Sequence, residues 1–84
     1  MNLSFWERVT LWKVFEEVII YHDYLSVDEM ATFMKVWDNI KHTDELEKTG
    51  KICKILKKCI HFAREEMELS ETEMKNLEDI ERKF

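Results

Sequence analysis

At 84 residues, with 45% hydrophobic and 12% aromatic side chains, the chain has room for one small core and is far from a disordered composition. A formal net charge of −5 and a pI near 5.2 argue against a protein that lives on phosphate contacts. The longest strictly apolar stretch, Val18-Ile19-Ile20-Tyr21, falls far short of the ~18 residues a membrane-spanning helix needs.

Short polar residues followed three places later by an acid open four segments: Ser4-Phe5-Trp6-Glu7, Ser26-Val27-Asp28-Glu29, Asp44-Glu45-Leu46-Glu47 and Ser70-Glu71-Thr72-Glu73. In a capping box the first side chain accepts from a backbone N–H that lacks a helical partner, and the acid accepts in return from the backbone of the first residue. With no proline and Gly50 the only glycine, this punctuation predicts an all-α fold over residues 1–84 as a single helical domain. The architecture is a small four-helix bundle, or five helices if the chain breaks near Gly50.

The first helix is expected over about Phe5 to His22, with a main apolar stripe of Leu11, Trp12, Phe15, Val18 and Ile19. Apolar content overflows that stripe. Trp6, Val9 and Ile20 fall on a second side and Val14 and Tyr21 on a third, leaving Glu7, Thr10, Lys13, Glu16 and Glu17 as the wet positions. A helix apolar over so much of its circumference is either central in a bundle or buries a side against another chain. Trp6, Val9, Val14, Ile20 and Tyr21 are therefore the candidate protein interface, and a homo-oligomer is expected. Trp12 and Trp37 are expected in the core, and Trp6 is the tryptophan expected at a surface.

The second helix, about Val27 to Lys41, is two-faced, with Val27, Met30, Phe33, Met34, Trp37 and Ile40 inward. The short link Asp23 to Leu25 permits only an antiparallel pair with the first helix. A third run begins at Asp44 and reaches Leu69, with a kink or break at Thr49-Gly50. Its buried stripe is Ile52, Cys53, Leu56, Cys59, Ile60, Ala63 and Met67. The last helix, from Glu71 onward, shows only a narrow strip of Met74, Leu77, Ile80 and Phe84, able to dock but not to form a core.

Charge is segregated. Residues 43–64 hold six basic and three acidic groups, whereas residues 65–84 hold three and eight. Lys51, Lys54, Lys57, Lys58, His61 and Arg64 fall within about 140° of one another on the helical wheel, opposite the apolar stripe. They read first as a solvated face, partly answered by the acidic last helix, and second as a candidate seat for nucleic acid or a nucleotide. Base readout is disfavoured because lysine dominates the face and the chain contains no glutamine.

No catalytic, metal or cofactor constellation emerges. His22, His42 and His61 read as surface or helix-terminal histidines, and the two cysteines and three histidines are too scattered for zinc. Cys53 and Cys59 lie about 600° apart around one helix and cannot bridge each other, so they read as reduced thiols in the cytoplasm. No basic segment leads into an apolar run at the start, so no secretory signal is read. In size, acidity and proline-free, lysine- and isoleucine-rich composition the chain resembles small phage- or plasmid-encoded proteins that bind a host or rival protein, a likeness of class carried by composition alone. The leading expectation is a non-enzymatic inhibitor, antagonist or immunity-type partner of another macromolecule. An anionic-ligand binder is second, and a structural oligomerisation module third.

Overall fold

Three of the four expected capping boxes form as read. Ser4 N–H donates to Glu7 Oε1 at 2.7 Å while Ser4 Oγ accepts from the Glu7 N–H at 3.2 Å. Ser26 with Glu29 and Ser70 with Glu73 repeat the exchange at 2.9 to 3.2 Å. They open α1 (Phe5–Ile20), α2 (Val27–His42) and α4 (Glu71–Glu81), which with α3 (Gly50–Glu66) make the four helices of this computed structural model. Residues 1–21 and 23–84 are described, so the expectation for His22 lies outside the described residues. The fold is a small all-α bundle, and among the described residues no helix is long and apolar enough to cross a membrane.

The fourth box does not form. Asp44 to Leu46 lie instead against the N-terminal segment: Leu3 N–H donates to Asp44 O and Leu46 N–H to Met1 O, both at 2.8 Å, around an isolated antiparallel bridge between Asn2 and Glu45. Leu3 and Leu46 are both buried there. An extra helical turn at Asp44 would sacrifice that burial and those backbone bonds, so the helix waits for Thr49, whose Oγ1 accepts from the Ile52 N–H at 3.2 Å. Gly50 is thereby the first residue of α3 rather than a flaw inside it. The far end also stops early, at Glu66, with Met67 extended.

α1 is the central element, packed against each of the other three helices, while α2 also packs on α3. Three expectations are corrected by this arrangement. Val14, expected on an open side, is fully buried, because α4 covers that side with Leu77 and Ile80. Glu7 and Thr10, expected to be wet, are buried on the same side. Thr10 Oγ1 donates to Trp6 O at 2.9 Å and accepts from Asn76 Nδ2 at 3.0 Å, and Glu7 Oε1 accepts from Lys83 Nζ at 2.6 Å. Burial pushes the Glu7 carboxyl up, but the Lys83 ammonium and the Ser4 N–H outweigh it and hold the group below its ordinary value.

On α2, Val27 is 88% exposed and Met34 is exposed, while Val36, unassigned from sequence, is fully buried. The reason for Val27 is its place as the first helical residue, at the corner where the chain leaves the bundle. α3 adds Ile55 and Phe62 to its expected stripe. Trp12 and Trp37 are half-buried and meet edge to face at 5.6 Å, beside the Phe15–Phe33 pair at 4.9 Å. The Trp37 indole N–H is buried without an acceptor.

Candidate functional site

The five residues expected to form one interface do not form one. Val14 is core, and the other four divide between the two ends of α1. Val9 and Ile20 share a helical face but are separated by about 16 Å along the axis at ~1.5 Å per residue. Exposed Lys13 and Glu16 lie between them, and Lys13 Nζ is held by Glu73 Oε2 at 2.7 Å.

At the N-terminal end, Trp6 (65% exposed) stacks edge to face with Phe5 (63%) at 5.1 Å, and Val9 is exposed one turn on. Beside them runs a groove of about 340 Å³ lined by Phe5, Arg8, Val9 and Trp12 from α1 and Ile40 and Lys41 from α2. Its cations are built in. Arg8 Nε and Nη2 both donate to Ile40 O, at 3.0 and 2.8 Å. That carbonyl belongs to the last turn of α2, where helical acceptors lack partners and the helix dipole favours positive charge. Lys41 Nζ lies 4.9 Å from the centre of the Trp12 ring, within cation–π range. Among the described residues no carboxylate lines this groove.

At the other end, Ile20 (63% exposed), Tyr21 and Val27 are open to solvent where α1 turns into α2. A second groove of about 300 Å³ is lined by Tyr21, Asp23, Tyr24, Phe62 and Glu66. Phe62 meets Tyr21 and Tyr24 edge to face at 5.0 and 4.9 Å, and Tyr24 Oη donates to Lys58 O at 2.7 Å. Burial raises the Tyr24 phenol above its ordinary value.

The basic face of α3 is interrupted by acids from neighbouring helices. Lys58 Nζ pairs with Glu29 Oε1 at 2.8 Å, and Arg64 grips the Glu81 carboxylate with both terminal nitrogens. The Lys58 bond, with the Ser26 N–H, holds the Glu29 carboxyl down at about 2, and Glu81 raises Arg64 above its ordinary value. Lys51 and Lys54 are exposed but share a cleft of about 160 Å³ with Asp28 and Glu29. Lys57 Nζ lies 6.0 Å from the centre of the Phe84 ring, and His61 is exposed.

Both cysteines are free. Cys59 is buried, which pushes its thiol up to about 12, far from the thiolate a nucleophile needs. His42 Nε2 lies 3.8 Å from Asp38 Oδ1 on an open surface. Among the described residues no three His, Cys, Asp or Glu side chains gather as metal ligands.

Sequence reading missed Phe5, Arg8 and Lys41 as neighbours of Trp6 and Val9. The order Phe5, Arg8, Val9, Trp12 is itself a helical i, i+3, i+4, i+7 stripe and carried part of the signal. Lys41 reaches it only through the tertiary crossing of α1 and α2.

Compared with known proteins, the chain matches no protein-family model, no curated protein and no solved structure.

Proposed function

We propose that the chain is a non-enzymatic protein-binding module that acts stoichiometrically, as an inhibitor, antagonist or immunity-type partner of another protein. The observation that carries the reading is the exposed Phe5-Trp6-Val9 cluster beside an apolar groove. Large aromatic side chains held open to water on a rigid helix are the usual anchors of a protein interface, and a monomeric surface seldom leaves such a group uncovered. The free thiols of Cys53 and Cys59 fit a reducing, cytoplasmic setting. An anionic-ligand role for the α3 face ranks lower, since Lys58 and Arg64 are already committed to Glu29 and Glu81. Self-association ranks beside it, with Ile20, Tyr21 and Val27 the natural face for a second copy.

The test is affinity capture on the immobilised chain, followed by native mass spectrometry of the complex. A protein bound at fixed stoichiometry, lost with Trp6→Ala and kept by a folded Lys54→Glu/Lys58→Glu chain, is the expected result. Loss of the partner in the lysine variant with normal binding by Trp6→Ala would overturn the ranking and promote the anionic-ligand reading.

A further inference from the structure

We infer that the groove between α1 and the C-terminal turn of α2 seats an acidic amphipathic helix of the partner protein, an inference that rests on the protein-binding reading above. The argument is one of charge and shape together. In a chain of 18 acids and 13 Lys and Arg residues, four other grooves among the described residues each include at least two carboxylates: Asp23 and Glu66, Asp28 and Glu29, or members of the Glu71, Glu78, Asp79 and Glu81 row on α4. The Phe5–Ile40 groove has none and carries Arg8 and Lys41 instead. Its floor and walls are Phe5, Val9, Trp12 and Ile40, an apolar slot formed where two helices cross. Such slots take the i, i+3, i+4, i+7 anchors of an amphipathic helix, and the cations at this one select carboxylates flanking those anchors.

The cations are also fixed in place before anything binds. Arg8 spends two of its donors on Ile40 O, through Nε and Nη2, which holds the guanidinium plane, and Lys41 is steered over Trp12. Holding a charge in position reduces the ordering a partner must impose.

Two other occupants fit less well. A second copy related by a two-fold axis through the groove would set Arg8 and Lys41 against their own counterparts, a like-charge contact that symmetry cannot avoid. Nucleic acid would find two cations on an acidic protein, too few for a phosphate backbone.

The probes are synthetic peptides of about 18 residues, or ~27 Å of helix, with Leu and Trp on one stripe and flanked by Glu, Gln or Lys in otherwise matched sequences. Binding to the intact chain is followed by amide chemical shifts. The Glu peptide is expected to bind about tenfold more tightly than the Lys peptide, with the Gln peptide between, and to shift Phe5, Val9, Trp12 and Lys41. Lys41→Glu, on an exposed side chain, is expected to reverse the order of the Glu and Lys peptides, and Val9→Arg to weaken all three. Circular dichroism checks that each variant is folded.

Equal affinity for the Glu and Lys peptides, or shifts centred on Ile20, Tyr24 and Phe62, would overturn the proposal. So would displacement of the Glu peptide by a single-stranded oligonucleotide at equal concentration, or movement of the groove signals on concentrating the chain alone. Failure here is separable from failure of the broader reading. A captured partner that binds Lys41→Glu unchanged removes the groove but keeps the protein-binding function, whereas a groove that selects the Glu peptide in a chain capturing no stoichiometric partner does the reverse.

Discussion

The two ends of α1 both leave large apolar side chains exposed, but the grooves beside them carry opposite charge. Phe5, which stacks on Trp6, and Val9 share a groove with Arg8 and Lys41, whereas Tyr21, next to the exposed Ile20, shares one with Asp23 and Glu66. The apolar residues alone would call both ends sticky. What separates them is what the neighbouring elements bring: α2 delivers its C-terminal turn and Lys41 to one end, and the α1–α2 link with the end of α3 delivers acids to the other. Midway, the side of α1 that α4 covers is ordinary core despite carrying Glu7 and Thr10. Exposure along this helix is therefore set by its three partners more than by its own periodicity.

Mutations can break that comparison at several strengths. The largest effect is expected on the covered side. Ile80→Ala should lower unfolding free energy by about 2–5 kcal/mol, while Ile20→Ala on the open side should stay within about 0.5 kcal/mol of wild type. Urea denaturation reads both, and equal losses would mean that α4 does not seal α1. Next comes partner affinity. Trp6→Ala should weaken it by about 2 kcal/mol or more, roughly 30-fold, with stability unchanged, and Ile20→Ala should leave it nearly intact. Isothermal titration with the captured partner distinguishes the two ends, and a larger loss from Ile20→Ala would transfer the site to the acidic end.

The helix starts give a smaller contrast. Ser26→Ala and Ser70→Ala should each lose about 0.5–2 kcal/mol, because each hydroxyl caps a helix, while Asp44→Ala should be close to neutral because no helix begins there. A thermal melt in which Asp44→Ala matches the serine variants would restore the helix start at Asp44.

Acid should expose the ion pairs last and most gently. Glu7, Glu29 and Glu73 have folded-state values below the ordinary 4.5, so their contribution is present above that pH and is lost as the carboxylates protonate on the way down, for Glu29 towards about 2. Glu29 and Glu73 are solvent-screened and contribute little apiece. Stability should thus decline gradually below about pH 4.5. A decline that instead begins near pH 6.5 would point to histidine.

The fold was legible because capping boxes are local: serine and glutamate three residues apart need nothing else to announce a helix, and three such pairs did so correctly. Asp44 carries the same signature and misleads, since the segment pairs with residues 1–3 across more than forty residues of sequence, with Leu3 and Leu46 both buried, and no local pattern records that. The candidate site was half legible. Trp6 stood out as a tryptophan off the main stripe, and Val9 with it. Val14 was misplaced because the wheel shows which side a residue occupies and not whether a fourth helix lies on it. Lys41 was invisible as a groove residue, being read only as the end of an amphipathic helix.

Polar bonds that fasten α4 and the residues after it to α1 join Lys13 to Glu73, Thr10 to Asn76 and Glu7 to Lys83, residues separated by 60, 66 and 76 positions. Contacts that distant require most of the chain to be placed before they can close, so they belong to the end of folding rather than its beginning. α1 is made before α4 and is in this way fully covered only late, and until Leu77 and Ile80 arrive its Val14 side stays open.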